Sequence, residues 1–204
     1  MDAAEAGLRG YYEEEALRRL RTPPTGRRVA TRQRFVSLLG DEGRRSVVDF
    51  GSGPGDDGSA FVAAGLRFVG LDLAHGNGVV AAARGVHVVQ GSVTAPPFPA
   101  RSFDAGWSMS VLMHLRDEEV PGAVAAMTDV LRPGAPLVVG LWGGDTGHTV
   151  GNRELGGHRR TFWLRPLEVN LRLIATGGRV EHADRWDLGD DEEEYQLFQL
   201  RVDP

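Results

Sequence analysis

Short apolar runs alternate with stretches of helical period along most of this chain. Ser46 to Phe50, Arg67 to Leu71, His87 to Gln90, Phe103 to Met109 and Pro136 to Leu141 read as strands, being β-rich and bounded by turn residues. Between them, Asp57 to Ala64, Gly78 to Arg84 and Glu118 to Leu131 have helical composition, the last stopped by Arg132-Pro133-Gly134. This alternation predicts βαβ units around a mostly parallel sheet, and so an α/β fold. Pro96, Pro97 and Pro99 enforce a loop before the fourth strand, because proline donates nothing to a ladder and restricts the residue before it.

Ahead of this core, Ala4 to Leu20 predicts an amphipathic helix, the Thr22 to Gly26 cluster a break, and Arg28 to Leu39 a second helix. Residues 1–45 are therefore expected to form a helical lid or flank, and 46–204 the main domain. Leu167 to Thr176 predicts a late helix ended by Gly177-Gly178, with Arg179 to Trp186 and Tyr195 to Val202 as closing strands. The acidic run Asp190 to Glu194 between them reads as a solvated hairpin loop, with no spacing that favours a metal.

Composition narrows the classes. The 204 residues suit one substantial domain, and no apolar run approaches the length of a membrane span. The start, Met1 to Glu5, lacks the basic and apolar regions of a secretory signal, so cytoplasmic residence is the default expectation. The chain has no cysteine, which removes disulfides, thiolate metal sites and cysteine nucleophiles. A net charge of −5 argues against a nucleic-acid surface, despite the arginines between Arg18 and Arg34, which Glu13, Glu14 and Glu15 partly balance.

The candidate chemistry begins at Asp49-Phe50-Gly51-Ser52-Gly53-Pro54-Gly55, where a strand hands over to a helix. Glycines at alternate positions let the backbone turn sharply and come close to a ligand. A plain turn would account for one or two of them, but not three behind an acid. Asp72 stands at the end of the next strand, about 20 residues on, where an acid can accept both hydroxyls of a ribose. Alone it would read as a helix cap; with the glycine loop it specifies a nucleoside-containing ligand. In a dinucleotide site the glycines would admit a pyrophosphate, whereas here Pro54 lies in the loop and Asp56-Asp57 after it, a pair of carboxylates expected to repel one.

From Val47 to Leu141 the chain resembles the class I S-adenosylmethionine-dependent methyltransferases, in particular their small-molecule group with a D-x-G-x-G-x-G loop. The resemblance rests on an ordered set: Asp49 to Gly55, Val69 to Leu73, Val88 to Ser92, Pro97-Phe98-Pro99 with Ser102-Phe103-Asp104, His114-Leu115, and Leu131 to Gly134. It implies a Rossmann-like doubly wound seven-stranded sheet of order 3-2-1-4-5-7-6. It also implies S-adenosyl-L-methionine as cofactor, S-adenosyl-L-homocysteine as product and no metal.

By the same resemblance, Gly51, Ser52, Gly53 and Gly55 would form the cofactor loop, with Asp49 reaching the ammonium and Asp72 the ribose. Leu73 and Val93 would sandwich the adenine beside Gly91. Ser92 replaces the family's common aspartate, and Ser108 would offer its carbonyl to the ammonium. Trp142-Gly143-Gly144-Asp145 departs from the usual polar or basic sequence after the fifth strand. From Thr146 to Trp163 the resemblance is poor, and the glycines there suggest a mobile loop that could cover or line the acceptor pocket.

Methyl transfer needs alignment and exclusion of water more than a covalent nucleophile. His114 is the first candidate for a base; its other reading is a residue that braces a loop through backbone bonds. Tyr11 and Tyr12 could close over a sulfonium through their ring faces, though on an amphipathic helix they could equally pack into the core. Trp142 and His148 complete the expected substrate contacts. The expected partner is a small-molecule methyl acceptor, with natural products or other secondary metabolites among the candidates. The alternatives are an S-adenosylmethionine-binding protein with another role, such as a cyclase or binding module, and a nicotinamide oxidoreductase. The acceptor and the oligomeric state are not legible.

Overall fold

In the computed structural model the structure describes residues 3–19, 24–144, 149–187 and 193–203. Five parallel strands open the sheet: β1 (Ser46–Phe50), β2 (Arg67–Asp72), β3 (Val88–Gln90), β4 (Ala105–Met109) and β5 (Pro136–Gly144). A separate hairpin follows, made of β6 (Thr149–Leu155) and β7 (His158–Leu164). β8 (Arg179–Asp187) and β9 (Glu193–Arg201) close the sheet, β9 running antiparallel between β5 and β8. The order is β3-β2-β1-β4-β5-β9-β8, which is the expected 3-2-1-4-5-7-6 once the hairpin is set aside.

Side-chain alternation explains why helices cover both faces. Val48, Phe50, Leu137, Val139 and Leu141 pack on one face with α5 (Val120–Asp129) and α6 (Leu167–Ile174), through Val124, Met127 and Ile174. Val47, Phe68, Trp107 and Val138 pack on the other with α2 (Gly26–Asp41), α3 (Asp56–Ala63) and α4 (His75–Ala83), through Phe35, Leu39, Phe61 and Ala81. The remaining helix, α1 (Ala3–Arg19), packs across α4 and β7.

The order reverses at β1, whose neighbours β2 and β4 lead the chain in opposite directions along the sheet. A crevice forms at such a switch, outside the carboxyl ends of the strands.

The expectation for the Thr146 to Trp163 segment is corrected by the structure from Thr149 onward, residues 146–148 lying outside those described. Instead of a mobile loop it holds a paired hairpin, in register from Thr149 opposite Leu164 to Leu155 opposite His158. Gly156 and Gly157, at φ 60° and 78°, supply the two left-handed residues of a tight turn. Glycine-glycine between two runs carries that hairpin signal, but polar Asn152, Arg153 and Glu154 mask the strand pattern. α4 also starts three residues before the expected Gly78, and β5 runs on to Gly144.

Candidate functional site

The loop after β1 is fastened to β2 before any side chain of the site is considered. The Gly51 and Ser52 N–H groups both donate to the Leu71 carbonyl, at 2.7 and 3.0 Å. Gly53 N–H donates to Asp72 Oδ2 at 2.8 Å. Gly51, Gly53 and Gly55 have φ of 73°, 56° and 81°, a left-handed run that side chains rarely adopt. A Cβ on Gly51 would also collide with the Val111 side chain. Asp72 is held further by Ala74 N–H at 2.9 Å and Asn77 Nδ2 at 3.0 Å, both on Oδ1, so it secures the start of α4 as well as facing the crevice.

A cavity of about 600 Å³ opens there. Gly51, Asp72, Leu73, Gly91, Ser92 and Val93 line one part, and Tyr12, His114, Thr161 and Trp163 another, with Ala3, Glu5 and Leu8 of α1 among the remaining walls. Apolar Leu73 and Val93 with one carboxylate suit a nucleoside, whose base has flat apolar faces and whose sugar has hydroxyls to donate. A second cavity, of about 840 Å³, shares Gly51, Met109 and Ser110 with the first and adds Ser52, Trp142, Arg160 and Tyr195.

Asp49, Gly53, Gly55 and Ser108 line neither cavity. Gly55 precedes α3, and Ser108, fully buried, donates its hydroxyl to the Phe50 carbonyl at 3.2 Å. Asp49 is also buried, and its Oδ2 has no hydrogen-bond partner among the described residues. Burial, with repulsion from Asp57 and Asp72, pushes its carboxyl well above the usual carboxylate range, against the pull of Arg28. A cation delivered close to Asp49 would relieve that penalty.

Asp56 and Asp57 answer the pyrophosphate argument differently from the expectation. Asp56 pairs with Arg84 at 2.5 Å. Asp57, fully buried, receives Arg28 at 2.7 Å, Arg32 at 2.8 Å and the Trp107 indole N–H at 2.8 Å. Burial alone would raise the Asp57 carboxyl, but the Arg28 charge and the bonds from Arg28, Trp107 and Arg32 hold it below its ordinary value. These arginines largely cancel the repulsion that sequence alone suggests, which leaves the buried acid Asp49 as the stronger discriminator.

His114 closes a short 3-10 turn, Leu112–His114, after β4. Its Nδ1 lies 2.8 Å from the Thr161 carbonyl and its Nε2 3.0 Å from the Tyr12 hydroxyl. A carbonyl can only accept, so Nδ1 carries the proton, and in the neutral ring Nε2 then accepts from the phenol. One imidazole thus ties α1 to β7 and meets the hydroxyl of Tyr12, which lines the cavity with it. Tyr11, by contrast, is buried with its ring edge-on to Tyr12 and lines neither cavity. Trp142 lines the second cavity, and His148 lies outside the described residues.

Sequence reasoning missed Ser110, Thr161, Arg160 and Tyr195. Ser110 has φ 62°, strained for a residue with a side chain, lines both cavities and lies within hydrogen-bond reach of Tyr195, Oγ to Oη 3.2 Å. Its position directly after a strand was the available signal. Thr161 and Arg160 sit on the unrecognised β7, and Tyr195 on a strand read only as one of the closing pair. Among the described residues no group of three metal-ligating side chains converges, and no helix is long and apolar enough to cross a membrane.

Residues 47–134 match the model of a methyltransferase domain family. An uncharacterized methyltransferase of Mycolicibacterium gilvum (strain PYR-GCK) is 37% identical over 122 residues, covering 56% of this chain and 47% of the relative. The chain therefore spans about half the length of the curated relatives it matches. Among solved structures, a 1,6-didemethyltoxoflavin-N1-methyltransferase of Burkholderia thailandensis superposes with a TM-score of 0.72 at 21% identity, covering 98% of this chain and 88% of that one. A geranyl diphosphate C-methyltransferase of Streptomyces coelicolor A3(2) gives 0.70 at 14% identity, covering 98% of both chains.

Proposed function

We propose that this chain is a class I S-adenosylmethionine-dependent methyltransferase that binds S-adenosylmethionine in the crevice at β1, β2 and β4 and methylates a small molecule. The observation that carries the reading is the conjunction of the left-handed Gly51 to Gly55 loop, the oriented Asp72 carboxylate and the buried, unpartnered oxygen of Asp49. The cofactor's needs fit these residues: Asp72 accepts from the ribose, Leu73 and Val93 bracket the adenine, and Gly51 lets the backbone approach. Asp49 supplies negative charge for the ammonium. The bound cofactor supplies an electrophilic methyl carbon on a sulfonium, open to in-line attack.

The chain's own work is then positional. α1, as a lid, excludes water from the cavity through Ala3, Glu5 and Leu8, which strengthens the electrostatics inside. Where the acceptor is a hydroxyl, the Tyr12 oxygen takes its proton while the phenol passes its own to His114 Nε2. Where it is a neutral amine, the attack needs no base, and the pair only orients. Two similar structures support a small-molecule acceptor: one is named for 1,6-didemethyltoxoflavin and the other for geranyl diphosphate. A metabolite screen for S-adenosylhomocysteine release tests the reading. Release with an acceptor is the expected result; cofactor binding without release from any candidate would favour a cyclase or binding module instead.

A further inference from the structure

We infer that the second cavity receives an acceptor carrying an oxyanion, a carboxylate foremost, on a flat ring system, and that Arg160 holds the charge. The inference rests on the methyl-transfer reading, since the two cavities share Gly51, Met109 and Ser110 and an acceptor in one can meet a donor in the other.

Arg160 stands on β7 and is only 5% exposed, yet it lines this cavity. Its guanidinium carbon lies 5.3 Å from the ring centre of Trp142 and 5.6 Å from those of Tyr11, Tyr12 and Phe162. Such ring faces attract a cation but offer an N–H no lone pair in its own plane. The Arg160 Nε is in fact buried with no hydrogen-bond partner among the described residues. A buried, charged donor left in that state is costly, and an anion entering the cavity would satisfy it.

The hairpin register gives a second, independent observation. Arg153 is directly opposite Arg160 across β6 and β7, so both side chains leave the same face. Both guanidiniums lie over the Trp142 ring, at 5.5 and 5.3 Å. Like charges directly opposite in an antiparallel pair repel, a cost that a ligand anion between them would remove. The other charges facing the cavity do not supply that anion in excess. Arg28 is committed to Asp57 and Asp56 to Arg84; the other charged residues that line the cavity are Arg27, Arg153 and Arg160, with Glu15 and Asp187. The flat walls are Trp142, together with Trp186 and Tyr195, which stack on each other at 5.1 Å. Arginine beside flat apolar walls suits a planar carboxylate, which it can grip through two parallel bonds.

The test uses a matched pair of probes, naphthalene-2-carboxylate and the neutral naphthalene-2-carboxamide, titrated calorimetrically into the protein loaded with S-adenosylhomocysteine. The carboxylate should bind at least tenfold more tightly. Arg160→Met should erase that preference while S-adenosylhomocysteine affinity stays within twofold of the parent. Equal binding of the two probes by the parent, or a preference that survives Arg160→Met, would overturn the inference. So would a variant that loses S-adenosylhomocysteine affinity, because Arg160 would then hold the cofactor's own carboxylate. Should Arg160→Met fail to fold, Arg153→Met on the exposed strand decides: a threefold or greater loss of preference supports the inference, and none refutes it. Failure of the parent to bind S-adenosylhomocysteine at all would instead strike the methyl-transfer reading, independently of the probes.

Discussion

Asp49 is a buried acid whose charge is not locally satisfied, and that sets its behaviour with pH. Its folded-state carboxyl is raised, so the stability tied to its protonated form is present below the ordinary carboxylate value. That stability is lost as pH climbs through the folded value. Asp49→Asn removes the charge and keeps the shape, so the ligand-free protein should melt higher at neutral pH while S-adenosylhomocysteine binds at least tenfold more weakly. Thermal melts and calorimetry on one preparation check both halves; a variant that binds like the parent would remove Asp49 from the ammonium contact. Tyr12 and His114 form one unit in which both imidazole nitrogens are engaged. If the pair moves a proton, Tyr12→Phe and His114→Gln should each slow methyl transfer to a hydroxyl acceptor by roughly a hundredfold. The double variant should then be little worse than either, because the two act in series. If His114 only braces the hairpin, His114→Gln should lower the melting temperature and Tyr12→Phe should leave turnover nearly unchanged.

At the scale of elements, α1 is latched by its own side chain. The Glu13 carboxylate accepts from the His75 and Gly76 N–H groups, at 2.7 and 2.6 Å, at the start of α4, where the helix dipole favours an anion. Glu13→Gln weakens that latch by about 1 kcal/mol, so S-adenosylhomocysteine should dissociate about fivefold faster in stopped-flow displacement; an unchanged rate would mean α1 does not gate the cavity. The parallel strands were legible because burial on both faces leaves continuous apolar runs such as Val47-Val48 and Leu137-Val138-Val139. The β6–β7 hairpin was not, because it lies apart from the main sheet, with His158 and Arg159 exposed and Arg160 turned inward. An inward arginine reads as surface in any pattern of polar and apolar positions. The same failure hid the second cavity, which gathers Arg153 and Arg160 of that hairpin with Tyr195, the start of α2 and the loop after β1.

For the molecule as a whole, the glycine loop and Asp72 could be placed from sequence because they depend on local chain order at a switch in the sheet. Partners brought together by the fold could not: Arg28 and Arg32 meet Asp57 across 29 and 25 residues. That cluster links α2, α3 and β4, and removing its carboxylate would leave two arginines uncompensated. Asp57→Ala should therefore cost about 3–5 kcal/mol in denaturant unfolding, and a loss under 1 kcal/mol would show the cluster to be dispensable. The folded Asp57 carboxyl is lowered, so its contribution is complete above the ordinary carboxylate value and is lost as pH falls through the folded one. The central claim is that the crevice at β1, β2 and β4 holds S-adenosylmethionine, with Asp49 losing its proton to solvent as the ligand's ammonium arrives. Calorimetric titration with S-adenosylhomocysteine in two buffers of different ionisation enthalpy tests it most directly. The account predicts one site per chain, apparent heats that differ between the buffers in the sense of proton release, and no binding of NAD. Binding of NAD without binding of S-adenosylhomocysteine would contradict it.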